Sequence, residues 1–194
     1  MLEHPAKSNC TLSREHVVMN QYDEICEMAI GNYGLVTTAE AEGLGVARKD
    51  LGEWLKLGRL ERLGRGVYRI AHYVPSEYDR YAVAVALVGE GAMLWGESVL
   101  AMHNLALVNP LFVTVATGKR VRKQLPDWLK VVRIPPNERA DVFNGIPCQN
   151  LAAVFRGMKG KLMTERLAAA IREAARRGLL RHRDALQLKK EFRT

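Results

Sequence analysis

The stretch TTAEAEGLGVARKDLGEWLKLGRLERLGRGVYRI, residues 37–70, carries the residue types and spacing that could do chemistry, and that chemistry is recognition of a polyanion. Arg48, Lys49, Glu53 and Lys56 fall off the apolar stripe of a helix expected over residues 46–57. The N-terminal part of such a helix normally meets base edges in the major groove of DNA. Thr38, at the start of a shorter helix just before it, joins this candidate set. So do Arg62, on the first arm of a following ribbon, and Arg65, at its tip. Residues 46–70 hold seven Lys/Arg against three Asp/Glu, so the local balance is strongly cationic. A second set of cations lies further on: Lys119, Arg120, Arg122 and Lys123 in one segment, then Arg166, Arg172, Arg176 and Arg177 along a later helix. These are candidates for flanking DNA or for an acidic protein groove, and a solvated helix face competes with both. Phosphate contacts of this kind add affinity without sequence information and weaken steeply with salt.

Other chemistry finds little support. Ser98 and His103 share an expected helix but sit five apart, so they point in different directions, and no G-x-S-x-G elbow is present. His4, His16, His72, His103 and His182 form no H-x-x-x-H pair, which argues against a metal site; His103 reads as a core or helix-end histidine. No Asp-x-Lys or Glu-x-Lys occurs, as a common nuclease metal site would need, and GRLERLGRG matches neither dinucleotide nor P-loop spacing. The expectation is a protein without catalytic residues, cofactor or metal.

The elements that position the first set are legible. Thr37 and Glu40 have capping-box spacing, so a helix should begin at Thr38. Gly43-Leu44-Gly45 breaks it, because glycine tolerates the positive φ of a tight turn. Val46, Leu51, Trp54, Leu55 and Leu57 then approximate a helical apolar face. Leu60-Glu61-Arg62-Leu63 and Val67-Tyr68-Arg69-Ile70 flank Gly64-Arg65-Gly66, a hairpin whose charges are arginines. The whole reads as a helix-turn-helix with a two-stranded wing. A solvated helical hairpin with a surface ribbon is the competing reading, and Gly-Arg-Gly directly after a helix-turn-helix weighs against it.

The 194 residues are 48% hydrophobic, enough for one or two cored domains. Net charge is +8, yet residues 1–74 carry nine Lys/Arg against ten Asp/Glu, while 75–194 carry twenty against eleven. The excess therefore lies mostly outside the presumed reading unit and favours a polyanionic partner. Cys10, Cys26 and Cys148 are far apart with no CxxC, which suits a reducing cytoplasm. The start lacks the apolar core of a signal peptide, and no apolar run approaches the roughly 20 residues of a membrane helix.

Along the chain, residues 1–15 read as loose, and a supporting helix is expected over 17–31, with Val17, Tyr22, Ile25, Cys26 and Ala29 inward. A short strand at 34–36 completes the wing's sheet. Residues 72–75 connect the parts, and Ser76 should cap a helix to residue 88 with Tyr81, Val85 and Leu87 inward. A strand at 93–95, a helix at 97–105, a strand at 111–116 and another at 129–134, stopped by Pro135-Pro136, follow. Asn144-Gly145 marks a hairpin between 140–143 and 146–148. Helices are expected at 151–155, from a Thr164 cap to 177 with Gly178 after it, and at 183–192. On the second of these, Leu167, Ala170, Ile171 and Ala174 should face inward. The fold class is α+β: an N-terminal winged helix-turn-helix over 1–74 plus a C-terminal mixed domain, a small sheet with helices, over 75–194.

This order of motifs, residues 37–70 followed by ESVLAMHNL, LFVTVA and GIPCQNLAAVF, resembles the AbiEi-type antitoxins of abortive-infection toxin–antitoxin pairs, over residues 22–190. The resemblance implies a winged helix-turn-helix that represses its own operon, and a C-terminal domain that counters a nucleotidyltransferase-like toxin encoded alongside. It implies promoter DNA as partner and a role in phage defence. Carried over, Arg48, Lys49, Glu53 and Lys56 belong to the reading helix, and Arg65 with its glycines to the wing. Gly52 departs from the pattern, at about 1 kcal/mol relative to alanine inside a helix. Direct toxin contact and a homodimer or cooperative assembly on DNA stay open, as does a stand-alone winged-helix regulator with no toxin.

Overall fold

Side chains of a β-strand alternate between its two faces, and here that alternation joins two cores. The computed structural model describes residues 21–135, 138 and 140–192. The expectations for Val17, Cys10, His4, His16 and Pro136 lie outside them.

Ile25 and Ala29 are one turn apart on α1 (Gln21–Ile30) and fully buried. β1 (Leu35–Thr37) leads straight into α2 (Thr38–Gly43), and the capping box forms as the spacing dictates. Thr37 Oγ1 accepts from the Glu40 N–H at 3.2 Å, and the Glu40 carboxylate accepts from the Thr37 N–H at 2.7 Å. The chain turns at Gly45, φ +75°, into α3 (Arg48–Lys56), then β2 (Leu60–Gly64) and β3 (Val67–Ile70). The three strands form an antiparallel sheet in the order β1-β3-β2. Val46, Leu51 and Trp54 hold α3 on this unit, whereas Leu57, assigned to the same stripe, is 66% exposed because the helix has ended one residue earlier.

Val36 and Ile70 face the small core under the helices, with Ile25, Ala41, Leu51 and Trp54. Leu35 and Val67, on the other face of the same sheet, enter the larger core of the second part. That part begins with α4 (Asp79–Val88), β4 (Met93–Leu94), α5 (Glu97–Met102), β5 (Val113–Thr117) and β6 (Leu129–Arg133). The hairpin β7 (Ala140–Phe143) and β8 (Ile146–Gln149) follows, then α6 (Leu151–Gly157), α7 (Thr164–Arg176) and α8 (His182–Glu191). Its sheet runs β6-β5-β4-β8-β7, with β5/β6 and β4/β8 parallel and the other pairs antiparallel. The Asn144-Gly145 turn takes positive φ at both residues, +47° and +77°, as a two-residue primed turn requires. Among the described residues no helix is long and apolar enough to cross a membrane.

Several local expectations shift. Ser76 does not open the helix: α4 starts at Asp79, whose carboxylate takes the Ser76 N–H at 2.7 Å and hydroxyl at 2.9 Å. The α5 helix stops at Met102, since Asn104, Ala106 and Leu107 all adopt positive φ. The strand expected at 111–116 begins at Val113, leaving Leu111 and Phe112 exposed. Thr164 is the first residue of α7 rather than its cap; that place falls to Met163, which has no side chain to serve it. The inward stripe of α7 is as expected, and Gly178, φ +71°, ends the helix with the Leu179 N–H bonded to the Ala174 carbonyl.

Arg69, on the face of β3 toward α4, is no wing-surface charge. Its guanidinium meets the Asp79 carboxylate at 2.9 Å, both side chains mostly buried, and Tyr73 donates to the same carboxylate at 3.2 Å. Nearby, a Cβ on Gly64 would overlap Leu87 Cδ2, so β2 lies directly against α4. The two parts are therefore pinned at three points: shared apolar side chains, an ion pair and a backbone approach.

His103 caps the end of α5, buried, its ring tilted at 53° to that of Phe143 with 4.1 Å between centroids. Burial first, and the Arg177 guanidinium second, push its pKa down from 6.5 to about 4. Arg177 itself donates to the His103 carbonyl at 2.6 Å, which removes it from the free cations.

Two outcomes follow. Asp79→Ala leaves Arg69 buried without a counter-charge and should lower stability by about 3 kcal/mol in urea denaturation. His103 binds its proton more readily unfolded than folded, so its contribution is complete above pH 6.5 and is lost as pH falls toward about 4. Thermal melts of His103→Phe should show a shallower stability loss than wild type across that window.

Candidate nucleic-acid interface

Ala47 precedes α3 with no side-chain cap, so the helix presents its first-turn N–H groups beside exposed Arg48 and Lys49. Arg48 Nε bonds Glu42 at 2.6 Å, and Lys56 bonds Glu53 at 2.8 Å; all four side chains are largely in solvent. Such surface pairs are worth roughly 0–1 kcal/mol and are readily exchanged for a phosphate. At the wing, Gly66 takes φ +74° and its carbonyl accepts from the Thr38 N–H at 3.0 Å. That bond fixes the arginine-bearing turn against the start of α2, with Arg65 outward and Arg62 exposed on the arm behind it.

The second part completes the surface. β5 and β6 are parallel neighbours, so a crossover must link them, and residues 118–128 form it. Val121, Leu125 and Trp128 pack on the larger core and hold this strap in place. Lys119 is anchored at 2.7 Å to Glu90, in the turn after α4. The strap thereby lies beside the wing, and together they enclose a groove of about 650 Å³. Thr38, Arg48, Arg62 and Arg65 line one side; Lys119, Arg120, Arg122 and Lys123 line the other, with Tyr68 and Glu90 between. Seven cations thus face one carboxylate. A cleft lined by one sign of charge focuses the field and draws in ions of the opposite sign.

Lys123 is partly buried and has Arg65 as a like-charged neighbour. Burial first, and the neighbouring Arg65 second, hold its pKa below the usual lysine value. Its Nζ lies 3.9 Å from where a Gly89 Cβ would stand, close to the C-terminal end of α4.

Lys49, Glu53 and Lys56 lie on the open face of α3, not in the groove. Arg166, Arg172 and Arg176 stand apart from the groove on α7, Arg176 bonded to Glu173 at 2.7 Å, and Arg177 is tied to His103 as above. The sequence reading missed Tyr68 and Glu90. Tyr68 was hidden among core residues of a strand, and Glu90 among the glycines that end α4; only its charge opposite Lys119 marks it.

Among the described residues no three His, Cys, Asp or Glu side chains are grouped to hold a metal ion. Cys148 is buried, its thiol pushed up to about 11 chiefly by burial, which makes it unreactive at neutral pH.

The Arg65→Ala variant should raise the Lys123 pKa without restoring it fully, because burial, the larger cause, persists. Side-chain NMR titration reads this; an unmoved Lys123 would mean that the wing tip and strap are not neighbours in solution.

No curated protein matches the chain. The resemblance drawn from its motifs holds over the winged unit: residues 26–71, from α1 through the end of β3, match the family described as "Transcriptional regulator, AbiEi antitoxin".

Proposed function

We propose that the protein is an autoregulatory antitoxin that binds its own promoter DNA. With residues 1–74 as the reading unit, α3 enters the major groove, where Arg48, Lys49 and Lys56 engage bases and phosphates. Arg65 reaches the adjacent backbone or minor groove, and the strap of the 75–194 domain grips the flanking phosphates. The observation that carries this is the single groove in which wing and strap place seven cations. A shift assay with the chain's own promoter region tests it. Arg48→Ala and Arg65→Ala should each weaken binding, and each lost phosphate contact should lower the slope of log affinity against log salt by about 0.9. Arg172→Ala, outside the groove, should leave the slope alone. Unchanged binding in the first two variants would sink the assignment.

The antitoxin half of the reading rests on a separate surface. Ala106 and Leu107 hold positive φ at +57° and +47°, and Leu107 is 89% and Leu111 80% exposed. Leu107 itself, with Leu105, Ala106, Ala169 and Ala170 and the charged Arg166 and Glu173, lines a hollow of about 310 Å³. Strained backbone and clustered apolar exposure are features of partner-binding surfaces. An apolar-tipped surface on a nucleotidyltransferase-like toxin, with a carboxylate placed for Arg166, would suit it. Co-expression of the full chain with the product of the adjacent gene should relieve growth arrest, and Leu107→Asp with Arg166→Glu should abolish relief without touching promoter binding. An adjacent gene with no toxic product would favour a stand-alone winged-helix regulator.

A further inference from the structure

A second cavity, of about 550 Å³, lies between the winged unit and the body, next to the cationic groove. One wall is the β1–α2 segment and the wing turn; the other is α4 and the turn before β8. Val85 and Ala86 show why it exists. Both lie on α4, and Val85 was expected inside, yet both remain half-buried because they look into this space. The opposing residues, among them Ala39, Gly66 and Gly145, are too small to fill it. Volumes of roughly 300–1,000 Å³ with mostly apolar walls and a few placed polar groups are typical of small-molecule sites.

Several polar side chains of the lining already have partners. Glu40 is spent on the Thr37 N–H at 2.7 Å and the Asn32 amide at 3.5 Å. The Thr37 hydroxyl accepts from Glu40, the Tyr33 hydroxyl donates to the Asn144 carbonyl, and Glu90 holds Lys119. Among the described residues Lys123 has neither ion pair nor hydrogen bond, and the Thr38 hydroxyl likewise has none; both line this cavity and the groove. What remains open is a largely apolar chamber with Lys123, unpaired, and the free Thr38 hydroxyl on its groove side, while the Glu40 carboxylate is held by neutral donors on the wall formed by β1 and α2.

We propose that this cavity binds a small amphipathic organic anion, its apolar body against Ala82, Val85 and Ala86 and its head group on Lys123, and that the occupant competes with DNA for that lysine. The competition rests on the DNA-binding reading; the binding does not. A head group on Lys123 neutralises one groove cation, so occupancy weakens DNA binding, and by linkage DNA weakens the ligand by the same factor. The depressed Lys123 pKa agrees, since an anion would relieve its crowding by Arg65.

The test uses two fluorescent probes of similar shape on the full chain: 1-anilinonaphthalene-8-sulfonate, an anion, and N-phenyl-1-naphthylamine, its neutral counterpart. Both should bind saturably at one site. Ala86→Phe, which fills the chamber from a half-buried position, should abolish both while promoter binding persists. Lys123→Ala should weaken the sulfonate about fivefold, the scale of one partly exposed charge contact, and leave the neutral probe unchanged. Should Ala86→Phe prove unfolded by circular dichroism, the Lys123→Ala comparison alone decides. Sulfonate binding indifferent to both variants, or a Lys123→Ala effect equal for the two probes, overturns the site. Promoter DNA should displace the sulfonate. If the shift assay succeeds and displacement does not occur, the competition is wrong; if no DNA binds while the probes behave as stated, the cavity stands and the DNA reading falls.

Discussion

A three-stranded sheet with two buried faces is the constraint on which the molecule turns. Leu35 and Val36 are consecutive, yet one belongs to the larger core and the other to the smaller. Backbone geometry forbids either from being satisfied alone, because neighbouring residues of a strand must point in opposite directions. A winged helix-turn-helix with one face in water would need only the Val36 side. Here the outer face is apolar at Leu35 and Val67 and carries Arg69 into the ion pair with Asp79. The wing is therefore an internal layer between two sets of helices, and its orientation is inherited from α4 as much as from α3.

That inheritance explains the groove. Seven like charges along one cleft repel one another, and flexible surface loops would relax by spreading. The strap is kept from spreading by Val121, Leu125 and Trp128, which pack on the larger core. The wing turn is kept from it by the Thr38–Gly66 bond. The repulsion is thus held in the folded state, where an incoming polyanion can release it. Preorganised charge of this kind needs no rearrangement at the moment of contact with a polyanion.

Much of this was legible in the residues. Thr37-x-x-Glu40, the Gly45 turn, the Gly-Arg-Gly tip and Asn144-Gly145 act within a few residues of chain, and each forms as its chemistry demands. The amphipathic stripe of α7 is equally local. What could not be read was tertiary. Arg69 looked like a wing charge until Asp79 met it, and Arg177 looked like a free cation until the end of α5 gave it a carbonyl. The strap carries its lysines and arginines in plain view, but nothing in their spacing announces a neighbour more than fifty positions away. Leu111 and Phe112 misled for a different reason. Their composition suits a strand, yet the ladder with β6 starts only at Val113, paired with Leu129. Gly64 and Leu87 belong to the same class of surprise, since the close approach is visible only once both elements are placed.

That approach has a meaning for how the surface could be tuned. Position 64 is not in the left-handed region, so backbone geometry alone would accept alanine there; the buried tip of Leu87 is what refuses it. Any side chain at 64 would act as a shim between ribbon and helix, tilting the ribbon tip relative to the crossover that faces it. Paired exchanges at 64 and 87, one gaining methyl groups as the other loses them, would then be a dial on the width of the cationic cleft, set from a place outside it.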